Sequence, residues 1–305
     1  MTPPPAGRPR RLVYLGTPAM AVPPLEALHA AGFEIPLVVS RADAKRGRGG
    51  ALVPSPVKAA ALELGLPVTD QIDDVLGLGL DPALDLGVVV AYGRIIKPRL
   101  LDALAMVNLH FSLLPRWRGA APVERAILAG DEHTGVCLMA VEEGLDTGGV
   151  YARTEVPVGP DETAVALRTV LVEIGTGLLV DHLTVGLGFA EPQVGEPTYA
   201  AKIAPEEHHL EWSEPAAQVH RRVRVGDAWT TFRGRRLKVW HTTIPTDAAS
   251  DASGDLSPGA LDSTRVGTGD GVVELVEVQR EGKARQPAQA WCNGARLQPG
   301  ERLGS

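Results

Sequence analysis

The sequence has few of the features that mark secreted, metal-binding or membrane proteins. It has two cysteines in 305 residues, Cys137 and Cys292, and they are far apart and match no metal-ligand spacing. No run reaches the length of about 18 apolar residues that a transmembrane helix needs. Residues 1–11 are rich in proline and arginine and lack the apolar centre of a secretory signal. We therefore expect a cytoplasmic protein with buried, reduced cysteines and no membrane span.

Three common catalytic or ligand-binding motifs are also missing. The first predicted strand is followed by Gly16-Thr17-Pro18, which lacks the second glycine of the dinucleotide-binding fingerprint. Ser112 does not lie in a Gly-x-Ser-x-Gly elbow, so the serine-hydrolase pattern is absent. The pair His208-His209 has no third ligand at a suitable spacing. These absences argue against nucleotide-cofactor, serine-nucleophile and metal chemistry.

The charge is acidic overall but locally basic. The net charge is −7, yet residues 215–240 hold seven basic residues against one acidic residue, Asp227. Residues 41–58 hold five basic residues against one acidic residue, Asp43. An acidic protein can still present a basic face to phosphates. A solvated surface on which the charges cluster by chance is the alternative, and the two interpretations are about equal from these counts.

The order of the predicted elements indicates two domains. Apolar strands alternate with helical periodicity up to a long helix at 164–185, which predicts an α/β fold with a mostly parallel, Rossmann-like sheet. Short strand-like runs with turn signals follow a second helix at 216–225 and predict a small β-barrel. We expect a catalytic domain at 1–187, a linker at 188–207 and a C-terminal domain at 208–305. The predicted strands of the C-terminal domain are Leu237–Thr243, Gly259–Val266 and Gly271–Val278.

The strongest chemical signal is the stretch that begins at Asn108. Met106, Val107, Leu109 and Phe111 are apolar, while Asn108 and His110 are two residues apart and share one face of a strand. The strand stops before Pro115, which places both polar residues near its carboxyl end, where open α/β sheets bind ligands. An amide donor beside an imidazole suits a reaction that develops a negative oxygen and moves a proton.

A second polar residue lies in a glycine-rich loop further along the chain. Asp146 lies between Gly144 and Gly148-Gly149, and such loops allow tight turns and close approach to a ligand. In a catalytic set, an aspartate of this kind orients a histidine. An Asx-turn with no catalytic role is the alternative from the residues alone.

Together Asn108, His110 and Asp146 resemble the catalytic set of the formyltransferases that use 10-formyltetrahydrofolate. The resemblance covers residues 11 to about 240 and has several motifs in the same order as the branch that acts on methionyl-tRNA. One departure is Phe111, which stands where the family usually has glycine. The motifs of the branch are Leu15-Gly16-Thr17-Pro18, Gly47-Arg48-Gly49, Pro54-Ser55-Pro56-Val57-Lys58, Val90-Ala91-Tyr92-Gly93, residues 116–122 and the Gly-Leu-Asp-Thr-Gly run at 144–148.

The resemblance implies a function, two substrates and a barrel of the oligonucleotide-binding type. The formyl group of 10-formyltetrahydrofolate would pass to the amino group of initiator methionyl-tRNA, with Asn108, His110 and Asp146 as catalytic residues and no metal. The C-terminal domain would bind tRNA, and no obligate protein partner is expected. Implied tRNA contacts are Arg48, Arg116 and Arg118. Implied folate contacts are Tyr92, Gly93, Ile95, Ser112, Leu113, Leu114 and Pro115.

Two other functions stay open. A formyltransferase acting on a nucleotide-sugar amine would share the same catalytic set, although the Arg48 loop and the basic C-terminal region favour tRNA. A non-catalytic RNA-binding protein on a degenerate enzyme scaffold would bind RNA without folate. Phe111 is the feature that favours the second alternative, because a bulky ring there would narrow the pocket or shift the backbone of His110.

Overall fold

The computed structural model describes residues 2–5, 7–46, 50–78, 85–245 and 256–304. The chain divides into two compact units. The first comprises Met1–Val123, His133–Pro157 and Arg168–Ala201, and the second comprises Glu124–Glu132, Val158–Leu167 and Lys202–Ser305. The second unit thus includes two segments that the sequence analysis assigned to the first domain, and the boundaries 1–187, 188–207 and 208–305 stay a prediction.

The part of the chain up to residue 201 alternates strands with helices, as expected. Two of its helices, α5 and α6, have residues in both units. A short 3-10 helix at Ala19–Ala21 precedes the first α-helix. In chain order the elements are β1 (Arg11–Gly16), α1 (Val22–Ala30), β2 (Glu34–Val39), β3 (Ala44–Arg46), β4 (Ala51–Val53), α2 (Pro56–Glu63), β5 (Val68–Thr69), α3 (Asp74–Gly77), β6 (Leu86–Val90), α4 (Pro98–Leu101), β7 (Met106–His110), β8 (Arg118–Gly119), α5 (Pro122–Ala129), β9 (His133–Ala140), β10 (Val150–Pro157), α6 (Ala164–Val185) and β11 (Tyr199–Ala200).

The local sequence explains where these elements begin and end. Helix α2 starts after Ser55, whose hydroxyl accepts a hydrogen bond from the Lys58 amide at 3.0 Å, and Pro56 occupies the first helical position. The helix stops before Gly65, which has a φ of 72°. Every residue of β6 is buried, as expected for a central strand covered on both faces.

The described strands of the first unit form one sheet in the order β10-β9-β7-β6-β1-β2-β5, with β8 paired to β11 and β3 to β4 outside it. The pairs β5-β2, β2-β1, β1-β6 and β6-β7 are parallel, and β9 and β10 are antiparallel additions. The strand order reverses on either side of β1, so ligands are expected outside the carboxyl ends of β1, β6 and β7. The predicted mostly parallel, Rossmann-like sheet is therefore confirmed.

The second unit contains an antiparallel sheet and two helices after residue 202. The sheet has the order β12-β13-β16-β15-β14, with β17 paired to β16, which is consistent with the small barrel predicted. Buried residues that include Trp212, Leu237, Val273 and Trp291 form its core. The elements are a 3-10 turn (Pro205–His208), α7 (Ala216–Val225), β12 (Trp229–Phe232), β13 (Arg235–Thr243), β14 (Leu261–Asp262), β15 (Arg265–Gly267), β16 (Val272–Arg280), β17 (Gln286–Pro287) and α8 (Ala288–Ala295).

Candidate active site

Strand β7 places Asn108 and His110 at the carboxyl end of the parallel strands. Asn108 pairs with Val89 of β6 and Met139 of β9, so it lies in the middle of the sheet. The pleat turns Leu109 and Phe111 away from these two residues. Both apolar side chains lie beside Gly175 of α6, where an added Cβ would be 3.7 Å from Leu109 Cδ1 and 3.7 Å from Phe111 Cε1. The Phe111 ring therefore packs against a helix, and its bulk is accommodated by a glycine.

His110 is 5% exposed and has acceptors on both sides of its ring. Its Nε2 is 2.8 Å from the carbonyl oxygen of Trp117, and its Nδ1 is 3.6 Å from Oδ2 of Asp146. A carbonyl oxygen carries no hydrogen, so Nε2 must be the donor in the first contact. The Nδ1 side of the ring faces the Asp146 carboxylate, and this contact is an ion pair only when the ring carries a second proton.

The loop after β9 brings Asp146 to this histidine. Oδ2 of Asp146 accepts a hydrogen bond from the Gly119 amide at 2.8 Å. Asp146 has a φ of 51°, a left-handed conformation that aspartate tolerates better than most residues. A Cβ on the nearby Gly148 would lie 2.0 Å from the carbonyl oxygen of Ala140, so only glycine fits where the loop passes the end of β9. The close approach of the loop to β9 therefore explains why this run contains glycine.

A glutamine that sequence reasoning missed ties this loop down. Gln193 Nε2 donates to the carbonyl oxygens of Asp146 and Gly148, each at 2.8 Å. Its Oε1 accepts from Nε of Arg118 at 3.1 Å and from Nη2 of the same arginine at 2.7 Å. Gln193 belongs to no motif and lies in a stretch read as a linker, so the sequence held no signal for it.

The structure places the predicted folate contacts of the turn after β7 mostly in the interior. Ser112 is fully buried, and its hydroxyl donates to the carbonyl oxygen of Arg116 at 2.5 Å. Leu114 is 2% exposed and precedes Pro115 through a cis peptide bond, while Leu113 and Pro115 are half-buried. Ser112 therefore holds the turn together through its own side chain.

The predicted folate contacts after β6 differ strongly in exposure. Tyr92 is 6% exposed, and burial raises the pKa of its hydroxyl. Gly93 is exposed with a φ of 75°, and Ile95 is 90% exposed. Tyr92 thus serves the core of the first unit, whereas Gly93 and Ile95 offer accessible surface.

The first unit contains a cavity of about 510 Å³ that Asn108, His110 and Asp146 do not line. Asp146 is followed in the chain by Thr147, which lines the cavity together with Arg118 and Gln193. None of the predicted folate contacts is among its lining residues in the described part of the chain. The apolar part of the wall is formed by Leu101, Leu104, Met106 and Val141.

Of the three predicted tRNA contacts, the two that the structure describes differ in their exposure and in their contacts. Arg48 lies outside the described residues. Arg116 is exposed, and its guanidinium carbon is 4.6 Å from the centre of the Trp117 ring, a cation–π distance. Arg118 is half-buried and uses two of its N–H groups on Gln193. Arg116 is therefore the more accessible of the two described arginines.

The basic run of the second unit separates into two groups. On α7, Arg222 donates to the carbonyl of His209 at 2.6 Å and to Glu214 at 2.8 Å. Arg224 is 8% exposed and donates to the carbonyl oxygens of Glu162 and Gly159, each at 2.8 Å. These arginines hold the unit together rather than facing a ligand.

The second group lies on the outward face of β12 and β13. Arg236 is exposed and stacks over Trp229 at 4.4 Å, and Lys238 lies 5.0 Å from the centre of the Trp240 ring. Arg285 covers the same Trp240 ring at 3.3 Å. We call these five residues the tryptophan–cation face. Cations interleaved with aromatic rings are typical of surfaces that bind RNA.

Three further observations concern the cysteines, groups of metal-ligating side chains and apolar helices. Cys137 and Cys292 are buried and free, as expected, and burial raises the pKa of both thiols. In the described ranges, no three His, Cys, Asp or Glu side chains are grouped as a metal site would require. None of the described helices combines the length and the apolar character needed to cross a membrane.

Comparison with known proteins agrees with this fold. The formyl transferase family matches residues 10–183, and the C-terminal domain of formyl transferases matches residues 202–296. The methionyl-tRNA formyltransferase of Roseobacter denitrificans is 44% identical over 95% of this chain and 97% of its own. That of Streptomyces coelicolor is 44% identical over 96% of this chain and 99% of its own.

A solved structure supports the fold. The N-formyltransferase from Helicobacter canadensis, in complex with folinic acid and dTDP-3-aminofucose, has a TM-score of 0.65 and 16% identity. The similarity covers 87% of this chain and 99% of that one. The fold is that of a formyl-group transferase. The chain belongs to the formyl transferase family and, within it, to the methionyl-tRNA formyltransferases.

Proposed function

We propose that this protein transfers the formyl group of 10-formyltetrahydrofolate to the amino group of initiator methionyl-tRNA in the cytoplasm. The product, N-formylmethionyl-tRNA, serves translation initiation. The observation that carries the proposal is the approach of Asp146 to His110, 3.6 Å apart, at the strand end that holds Asn108. The relatives named methionyl-tRNA formyltransferase support the same reaction.

The cavity of the first unit fits the folate co-substrate. Its volume of about 510 Å³ lies within the range of about 300–1,000 Å³ that is common for small-molecule sites. Its apolar wall suits a flat heterocycle, and Arg118, Thr147 and Gln193 supply polar groups at one side. The predicted folate contacts Tyr92, Gly93, Ile95 and Ser112–Pro115 follow the carboxyl ends of β6 and β7 and do not line this cavity. Their contact with folate is therefore a separate part of the proposal.

The catalytic residues would act on the oxygen of the formyl carbonyl. The attacking amine must be neutral, and an α-amino group titrates near about 7.7, so a usable neutral fraction exists at physiological pH. The amine nitrogen bonds to the formyl carbon, the bond from that carbon to folate N10 breaks, and the amine proton is passed on to N10. The Asn108 amide and the His110 imidazolium would donate hydrogen bonds to the oxyanion that forms in between.

The hydrogen bonds of His110 set a condition on this step. Nε2 already donates to the Trp117 carbonyl oxygen at 2.8 Å. The oxyanion must therefore take the place of that carbonyl oxygen, while Asp146 holds the other side of the ring. The turn that carries Trp117 is left-handed, with a φ of 63° at this residue. A small change in this turn would free the donor.

The tRNA substrate would contact both units. Near the site, Arg116 with its stacked Trp117 would contact the acceptor end, and Arg48 and Arg118 are the other predicted contacts. On the second unit, the tryptophan–cation face combines positive charge with rings on which bases can stack. Arg235, Arg280 and Lys283 surround a separate cavity of about 430 Å³, which suits a backbone phosphate.

The test is formyl transfer from 10-formyltetrahydrofolate to charged initiator methionyl-tRNA. Uncharged tRNA and an amino-sugar nucleotide serve as the two control acceptors. Transfer to the charged tRNA alone would support both reaction and substrate. Transfer to the sugar nucleotide alone would support formyl transfer from folate but contradict tRNA as the acceptor. RNA binding without transfer to any acceptor would favour a non-catalytic RNA-binding protein.

A further inference from the structure

We infer that Gln193, linked to Arg118, is the positioning residue that aims Asp146 at His110. The inference rests on the proposed catalytic function of Asp146. Gln193 lies 47 residues from Asp146 in sequence, yet its amide donates to the backbone of the loop on both sides of Thr147. Nothing in the sequence marks this glutamine, so its importance comes from the contacts alone.

The carboxamide of Gln193 is fully used. Its two N–H groups donate to the carbonyl oxygens of Asp146 and Gly148, and its oxygen accepts two hydrogen bonds from Arg118. A carboxamide has two donors and two acceptor lone pairs, so no capacity is left over. A side chain with all four hydrogen bonds made in a half-buried site has a single favourable orientation.

Arg118 and the residue after it hold Asp146 from two directions. The guanidinium of Arg118 fixes Gln193, and Gln193 fixes the backbone of Asp146. The amide of Gly119 donates to the Asp146 carboxylate at 2.8 Å. Strand β8, which consists of these two residues, is itself paired with β11. The two residues of β8 therefore hold both the backbone and the carboxylate of Asp146 in position.

The loop needs such a support because the residues directly before and after Asp146 are exposed. Leu145, the preceding residue, is 62% exposed, and Asp146 itself is in the left-handed region. Without Gln193, two backbone carbonyls lose their donor, and the loop gains freedom to move the carboxylate away from His110. A displacement of about 1 Å at a catalytic group can lower the rate about 10²-fold.

Two substitutions separate the contacts of Gln193. Gln193→Met keeps the length of the side chain and removes all four hydrogen bonds. Gln193→Glu keeps an acceptor for Arg118 but loses both donors to the loop. Gln71→Met is the matched control, because Gln71 is exposed in the same unit and its carboxamide donates to the neighbouring Asp70. Thermal unfolding of each variant identifies the samples that are folded.

The first readout is amide hydrogen exchange at Gly119, which needs no activity. The Gly119 N–H is protected by Asp146 only while the carboxylate stays in place. We expect exchange at least about tenfold faster in Gln193→Met and Gln193→Glu than in Gln71→Met. Unchanged exchange in both Gln193 variants would overturn the inference, even if wild-type protein formylated no acceptor.

The second readout is a double-mutant cycle with Asp146→Asn. In the wild-type background we expect Gln193→Met to lower kcat about 10- to 100-fold, with KM for both substrates changed less than about twofold. In the Asp146→Asn background the same substitution should lower kcat less than about threefold, because its target is already lost. An equal loss in both backgrounds would show that Gln193 does not act through Asp146. A wild-type protein without formyl transfer would instead contradict the proposed function.

Discussion

Near Asp146, the side chains of His110, Arg118 and Gln193 are buried or half-buried, and each is hydrogen-bonded within the first unit. On the tryptophan–cation face of the second unit, the charged groups are exposed or half-exposed and rest on aromatic rings. Removing one member of the first group leaves its partners without a hydrogen bond, so effects there should be large and non-additive. Removing Arg236 leaves water in its place, and removing Lys238 breaks only a surface ion pair with Asp227, so effects there should be small and additive.

The largest expected effect is that of His110→Ala. Loss of the imidazole ring removes a donor to the oxyanion and the ring's contacts with the Trp117 carbonyl and Asp146. We expect kcat to fall at least about 10³-fold, while the Kd for charged tRNA changes less than about twofold. Single-turnover formylation and filter binding measure the two quantities. His133→Ala, at an exposed histidine on β9, is the control. An equal loss of turnover and of tRNA affinity would contradict the catalytic assignment.

The second prediction compares two arginines of the basic run. Arg224→Met should lower the free energy of unfolding by about 2–3 kcal/mol, because the carbonyls of Glu162 and Gly159 lose their donor. Arg235→Met, at an exposed position on β13, should change it by less than about 0.5 kcal/mol. Urea unfolding gives both values. Equal stabilities would remove the distinction between the two groups of cations.

The third prediction concerns RNA affinity on the tryptophan–cation face. Arg236→Met and Lys238→Met should each weaken tRNA binding a few-fold and reduce the salt dependence of log Kd by about 0.7–0.9. The two effects should add in the double variant, and kcat at saturating tRNA should stay the same. Arg224→Met, once folded, should leave the salt dependence unchanged. A fall in kcat for the surface variants would show that this face takes part in more than binding.

The smallest expected effect is a dependence of stability on acid pH. The Arg125 guanidinium makes two hydrogen bonds to Glu207, at 2.6 and 3.0 Å, and this lowers the pKa of the carboxyl to about 2. A lowered pKa in the folded state stabilises the protein above the unfolded pKa of about 4.3, and the stabilisation is lost as pH falls towards 2.

The size of this acid effect is limited by solvent. The Glu207 side chain is 38% exposed, so screening reduces the contribution to about 1 kcal/mol or less. The measurement is the free energy of unfolding of wild type and Glu207→Gln between pH 7 and pH 2. The difference between the two should shrink across this window. If the difference in unfolding free energy grew as pH fell, the expected direction of the pKa shift of Glu207 would be contradicted.

Much of the fold was predictable because its signals are local. The long apolar-periodic segment predicts a helix at 164–185, and α6 has those bounds. The expected single strand Gly259–Val266 is wrong, because β14 ends at Asp262 and β15 begins at Arg265. Ser263, between them, has a φ of 55° and makes a tight turn that its sequence does not announce.

The candidate site was predictable only in part. The spacing of Asn108 and His110 follows from the period of a strand, and the family resemblance indicated Asp146, which the structure places near His110. Gln193 lies in a stretch with little periodicity, and its role depends on a tertiary contact that no local pattern encodes. The same limit applies to Ser112, whose hydroxyl turned out to bond within its own turn.

The packing of Phe111 against Gly175 also constrains how this sequence can diverge. A methyl group at position 175 would already be 3.0 Å from Val136 Cγ2 and would touch the aromatic ring. Any longer side chain there would need space from Val136 as well as from Phe111. A smaller residue could replace Phe111 first without this obstacle, because Gly175 would still leave enough space. Lineages that carry phenylalanine at this strand end are therefore expected to keep the helix glycine, and the two sites should covary in one direction of change.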